Sequence, residues 1–394
     1  MKIGIITFHF PYNCGAALQC MALQTKLVEL GHEVCVINYR PWYHQNRYTP
    51  LKNPVYWGGK CFEREKGNFV KKLGKGIDGF ARTVYSWRKY FDGKEKNDKF
   101  KSFTNKYLHE TKVYRTLEQL QKDPPNCDVY ISGSDQLWNS GLTEGHFDPA
   151  YFLKFGSNDI GKMTYSVGTD FSKCSDPVKQ LKELVCDLDV ISIRENRWRK
   201  VLEEAVDGKT EIHTDLDPTL ILDKESYYSK MPGLKKTEPY ILTYTMPNET
   251  QKQIYNGARL LSEKLGMKVI DVSGDPNKMN KKVEDNRICG PDEFLWYVKN
   301  ADYVLTNSFH GTAFSLIFEK QFMVIPHSNT GNRVTELLDR LNLSTRHKKV
   351  TTDAVNEMTN PIDYTQVRPI FNELREQSIN FLSSTVEKIG KNKH

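Results

Sequence analysis

Apolar residues come in short continuous runs, separated by stretches in which they recur with a helical period. Residues 2–10 form such a run and read as a buried strand, followed by the polar turn Tyr12-Asn13-Cys14-Gly15. Beyond it Ala16, Cys20, Leu23, Leu27 and Leu30 fall on one stripe, and Gly31 is a natural stop, which predicts a helix over about 16–30. Residues 34–39 (VCVINY) are the next strand. Strand, helix and strand within forty residues, with unbroken apolar strands, are the βαβ unit of a parallel sheet covered on both faces. Residues 128–132 and 190–194 read as later strands of that sheet. The rhythm restarts near residue 240, with strands over 240–244, 268–272, 302–306 and 322–325 and helices over 250–265, 291–300 and 311–319.

This pattern predicts an α/β protein of two Rossmann-like domains facing a cleft. The boundary is placed after the run Asp215-Leu216-Asp217-Pro218-Thr219-Leu220-Ile221-Leu222-Asp223, in a polar stretch with Pro232, Gly233 and Pro239. An N-terminal domain then spans 1–222 and a C-terminal one 235–394. A last helix over about 370–389, after Pro369, is expected to pack back across the cleft. Ligands of such sheets bind at the carboxyl ends of the strands, which here face each other.

Charge breaks the rhythm in one place. Residues 60–115 carry 16 Lys and Arg against seven Asp and Glu, a net +9, while the whole chain has +7. The remainder is slightly acidic. Eleven Phe, Tyr and Trp are interleaved there, so 45–115 reads as a basic helical insertion in the first domain. No recognised nucleic-acid-binding module accompanies it, and nucleic acid is not an expected partner. Eight cysteines without a CxxC pair give neither a zinc ribbon nor a disulfide framework, and a reducing compartment fits them best. The first residues lack a signal-peptide pattern, and no run of about 18 apolar residues occurs. The expectation is a cytoplasmic protein, at most peripheral on the membrane.

Four segments carry candidate chemistry. Asn13, Gly15 and the helix they open could receive an anion, or form an ordinary βα turn; one glycine where a dinucleotide fingerprint needs three disfavours NAD and FAD. In Ser132-Gly133-Ser134-Asp135-Gln136-Leu137-Trp138, Asp135 and Gln136 suit sugar hydroxyls and Trp138 a stacking face, or the segment is a cap with a packing indole. In Thr306-Asn307-Ser308-Phe309-His310-Gly311-Thr312, a histidine stands where a strand breaks into a helix, able to face the cleft and exchange protons. Arg194, closing a strand, and Arg333 could each clamp a carboxylate or phosphate, or form salt bridges, in the case of Arg194 with Glu195. His9 either faces the cleft or is a core histidine. No His, Cys, Asp and Glu cluster has metal-ligand spacing, so neither a metal nor a redox cofactor is expected.

Taken in order, ITFHFPYNCGAALQCMALQ, DVYISGSDQLWN, ISIRE, DLDPTLIL and ADYVLTNSFHGTAFSLIFEKQF resemble the polysaccharide pyruvyltransferases over residues 1 to about 345. The resemblance implies a fold like that of the two-domain (GT-B) glycosyltransferases. It also implies transfer of pyruvate from phosphoenolpyruvate to two hydroxyls of a sugar, giving a cyclic ketal and phosphate. The acceptor would be a cell-surface polysaccharide or its precursor, lipid-diphosphate-linked for an enzyme working at the inner face of a membrane. His310 matches the family's histidine before glycine, a general acid/base, and Arg194 a basic residue at the end of its strand. Ser308, Gly311, Thr312 and Arg333 fall on the donor side, and His9, Asn13, Gly15, Asp135, Gln136 and Trp138 on the acceptor side. Many members have an arginine shortly before the histidine; here Ser308 and Phe309 stand there, and Arg333 is the candidate to replace it. A nucleotide-sugar glycosyltransferase and a non-catalytic anion-binding module are the alternative classes.

Overall fold

The computed structural model describes residues 1–44, 52–87, 90–235, 238–246, 248–272, 283–286, 288–325, 332–347 and 352–391. Residues 45–51, 88 and 89 of the basic insertion lie outside the described residues.

The first half of the chain builds an eight-stranded sheet from β1 (Lys2–Ile6), β2 (Glu33–Val36), β3 (Val129–Ser132), β4 (Asp135–Asn139), β5 (Gly161–Thr164), β6 (Val167–Asp170), β7 (Val190–Ile193) and β8 (Glu211–Thr214). The order is β2-β1-β3-β5-β7-β6-β4, with β8 pairing β7, and every pairing is parallel. The second half gives β9 (Tyr240–Tyr244), β10 (Lys268–Asp271), β11 (Val283–Asp285), β12 (Tyr303–Thr306) and β13 (Gln321–Val324), in the parallel order β11-β10-β9-β12-β13. The central strands β1, β3, β7 and β9 are buried almost throughout, which is why they read as unbroken apolar runs.

Several boundaries differ from the sequence expectation. The first strand ends at Ile6, so His9 lies beyond it in the connection to the helix Cys14–Glu29. The segment after β3, expected to be a loop, turns at Gly133 and re-enters the sheet as β4. A Cβ on Gly133, whose φ is +141°, would lie 2.1 Å from the Tyr165 carbonyl oxygen, so the turn depends on glycine. The last helix runs over Tyr364–Lys391 and contains Pro369 instead of following it. It crosses from the second domain to the first, where a Cβ on Gly161 would meet Ile389 at 3.1 Å and one on Gly390 would meet the Met1 sulfur at 2.3 Å.

The basic insertion divides in two. The helices Pro54–Arg64 and Phe69–Ser86 form a hairpin. The third helix, Tyr90–Tyr107, belongs to the body: Phe100 and Phe103 are buried in the core, and Lys99 Nζ lies 2.9 Å from Glu293 Oε1 of the second domain.

Candidate active site

Asp217, in the segment that follows β8, organises the site. It is buried and caps the short helix Pro218–Ile221, with Oδ1 accepting from the Thr219 amide at 3.0 Å and its hydroxyl at 2.7 Å. Its other oxygen accepts from Arg194 Nη1 and from Ser134 Oγ, each at 2.9 Å, and lies 3.7 Å from His310 Nε2. Burial alone would raise its carboxyl pKa; His310, Arg194 and the Thr219 amide outweigh burial and hold it well below the usual carboxylate range. One ionised carboxylate therefore gathers the end of β7, the turn after β3 and a histidine of the second domain.

His310 is the second residue of the helix Phe309–Ile317, which begins directly after β12. The close strand-to-helix turn depends on Gly311, where a Cβ would stand 2.3 Å from Thr306 Oγ1. Thr312 Oγ1 donates to the Ser308 carbonyl at 3.1 Å, and the Ser308 amide donates to Thr306 Oγ1 at 3.0 Å, so Thr312 and the Ser308 backbone serve the turn itself. Across the domain boundary the imidazole meets Gly15: a Cβ there would fall 2.1 Å from Nδ1. Gly15 is helical, so what the position demands is space for the ring and not a positive φ. Gly15→Ala should force the ring from its place and lower turnover by about 10²-fold, the order of loss that a displacement of roughly 1 Å within an active site brings. Steady-state kinetics with a thermal melt check the prediction, and an unchanged kcat would contradict it.

Arg194 and Arg333 converge on one aromatic ring. Their guanidinium carbons lie 4.9 and 5.7 Å from the centre of the Phe309 ring. Arg194 is buried and reaches Glu195 Oε2 at 3.4 Å besides Asp217; burial would lower its pKa, but the acids Glu195, Asp217 and Asp135 raise it. Its Nη2 has no hydrogen-bond partner among the described residues, and neither has Arg333 Nε. Burial and the neighbouring Arg194 cation press the Arg333 pKa down to about 10. Gly168 makes room for this arrangement, since a Cβ there would be 2.5 Å from Arg194 Nη2. Beside the pair is a recess to which Arg340, Asp215 and Glu336 also contribute. Glu336 accepts from the Asn196 amide at 3.0 Å, a second link between the domains. An adjoining recess sets Gln136 and Thr169 of the first domain opposite Arg333.

The remaining acceptor-side candidates take the packing and capping places that the sequence left open as alternatives. Trp138 is fully buried, stacked on Phe152 with centroids 4.5 Å apart, and donates from Nε1 to the Tyr151 carbonyl at 3.1 Å. It faces the core from β4 and offers no face to a sugar. His9 is also buried, with Nδ1 3.0 Å from the Thr7 carbonyl and Nε2 2.8 Å from Glu110, which also pairs with Arg40. Asn13 caps its helix by accepting from the Ala16 amide at 3.3 Å. Asp135, at φ +72°, accepts from the Gln136 amide at 2.8 Å. Asp217 was the residue that sequence reasoning overlooked. Its one signal, an Asp before Pro at a helix start, reads equally as a cap.

Among the described residues no group of three or more His, Cys, Asp or Glu is disposed to hold a metal ion, and no helix is long and apolar enough to cross a membrane.

Two parallel sheets built in succession, joined by the segment that carries Asp217, give the molecule a two-Rossmann-domain fold of the GT-B type. Among solved structures it is similar to S. aureus MnaA in its UDP co-structure, with 12% identity over 98% of this chain and 97% of that one and a TM-score of 0.51. A UDP-GlcNAc 2-epimerase from Neisseria meningitidis bound to UDP-GlcNAc aligns at 13% identity over 98% of this chain and 100% of that one, with a TM-score of 0.48. At such identities the likeness is one of fold alone. The family model for polysaccharide pyruvyl transferase matches residues 13–329, and the chain belongs to that family. No curated protein matches it.

Proposed function

We propose that the protein transfers pyruvate from phosphoenolpyruvate to two hydroxyls of one sugar in a cell-surface polysaccharide or its lipid-linked precursor, forming a cyclic ketal. The observation that carries this reading is the pairing of His310 with Asp217 beside two guanidinium groups that retain unused donors. The donor presents a carboxylate and a phosphate, and arginine forks are suited to both. Arg194 Nη2 and Arg333 would hold these anions, Phe309 keeping the two cations in place.

The chemistry needs two hydroxyl protons to be moved. One ends on the donor's methylene carbon, which becomes a methyl group as the first sugar oxygen bonds to the adjacent carbon. The other leaves with phosphate, when the carbon–oxygen bond to phosphate breaks and the second sugar oxygen takes its place. His310 is the proton carrier in this reading, and Asp217 orients its ring and stabilises the protonated form. Neither step requires a metal or a redox cofactor.

The test is phosphate release from phosphoenolpyruvate by the purified protein with candidate lipid-linked or free glycans. Release that requires both substrates, with a glycan product heavier by one pyruvate ketal, is the expected result. Consumption of a nucleotide sugar in place of phosphoenolpyruvate would assign glycosyl transfer. Binding of phosphoenolpyruvate without turnover on any glycan would point to a binding module.

A further inference from the structure

We propose that the hairpin of helices Pro54–Arg64 and Phe69–Ser86 is a docking surface for an anionic phospholipid bilayer, its second helix lying in the interface with its apolar stripe in the lipid. On that helix Phe69, Val70, Leu73, Ile77, Phe80 and Val84 are 38–75% exposed. At 3.6 residues per turn they fall within an arc of about 100°. An amphipathic helix of a globular domain normally turns such a stripe inward, and a continuous exposed one marks an interaction site.

The hairpin's own packing explains why the stripe is left over. The helices touch through glycines: a Cβ on Gly58 would lie 3.0 Å from the Gly76 carbonyl oxygen, and one on Gly79 2.6 Å from Cys61 Sγ. Backbone meets backbone there, and most of the large apolar side chains remain outside the contact. The hairpin is held to the body by Tyr56 and Lys60, at 2.7 and 3.1 Å from Glu144 in the loop after β4. Its two ends are tied to each other by Trp87 Nε1, which donates to the Lys52 carbonyl at 2.9 Å. These ties leave the stripe uncovered.

Charge selects the occupant. Residues 54–86 hold seven Lys and Arg against three Asp and Glu. Lys71 and Lys75 occupy the face opposite the stripe, with Arg82 beside them paired to Asp78; one helix diameter, about 10–12 Å, is well inside the Debye length of a low-salt buffer, about 30 Å at 0.01 M. Apolar residues on one face and cations on the other are the distribution of a helix that lies on an anionic bilayer. Placed on Glu144, which follows the strand bearing Gln136, such a surface would bring the cleft to lipid-borne substrates. The docking itself does not depend on the transfer reaction.

Flotation of the full-length protein with vesicles of equal parts phosphatidylcholine and phosphatidylglycerol tests this, with pure phosphatidylcholine vesicles as comparison. The expected result is flotation with the mixed vesicles at low salt, loss of it at about 1 M salt, and none with phosphatidylcholine alone. Lys71→Gln and Lys75→Gln should each weaken partitioning by about fivefold, equivalent to about 1 kcal/mol per basic residue. Leu73→Glu with Ile77→Glu should abolish it while circular dichroism and phosphate release with a free glycan stay unchanged. Failure of the wild type to float overturns the proposal, as does flotation unaltered in the double glutamate variant. A salt-insensitive dimer that this variant dissociates, without flotation of the wild type, would make the stripe a self-association surface instead.

Discussion

His310→Asn should lower kcat by about 10²–10⁴-fold while changing the dissociation constant for phosphoenolpyruvate by less than about threefold. Asparagine keeps a polar group of similar reach beside Asp217 but cannot carry a proton between sugar hydroxyl and donor. The ring lies between the Asp217 carboxylate, 3.7 Å from Nε2, and the backbone at Gly15, so the variant has little room for a substitute geometry. Asp217→Asn should act through the same residue. It should lower kcat with little change in the dissociation constant for phosphoenolpyruvate, because the ring loses the carboxylate beside it. Near-wild-type turnover in His310→Asn would reduce His310 to a structural role.

Arg194→Ala should be the most destabilising change at the site. Removing one partner from a buried ion pair leaves the other charge uncompensated and typically costs about 3–5 kcal/mol. Asp217 would then keep Ser134 and Thr219 as hydrogen-bond donors but lose its hydrogen-bonded cation. A sequence-level reading, with Arg194 free in a cleft, would leave stability untouched; burial reverses that expectation. Arg333→Ala provides the contrast. Arg333 is only half-buried and makes no ion pair with a carboxylate among the described residues, so its loss should leave the melting temperature nearly unchanged and raise the KM for phosphoenolpyruvate. Equal thermal shifts in the two variants would contradict this account of the cluster.

The parallel α/β architecture was legible because its central strands are apolar on both faces and its helices carry clear stripes. Short strands such as the interior β5 (GKMT) and the edge strand β8 (EIHT) carry no such run and escaped notice. Pro369 suggested a boundary where the helix continues, since a proline near the first turns sacrifices few backbone hydrogen bonds. The aromatic residues of the insertion could not be sorted by composition: Phe100 and Phe103 turned out to be core, whereas Phe69 and Phe80 are exposed. At the site, His310, Arg194 and Arg333 stood out individually by residue type and position. Their convergence did not, because it depends on Gly15, Gly168 and Phe309, whose roles arise from contacts between segments far apart in sequence. Trp138 failed for a related reason: period-two alternation on an unrecognised strand decides which way an indole points.

The chain passes between the two sheets twice, once through the segment between β8 and β9 and again on entering the helix Tyr364–Lys391. The buried apolar core is continuous from one sheet to the other, with Leu18 and Leu23 of the first helix in the same cluster as Phe294 and Phe314, so the two halves should melt in a single transition. His310 meets Gly15 across that shared core, and its place is therefore set by the joining of the two halves and not by its own domain alone.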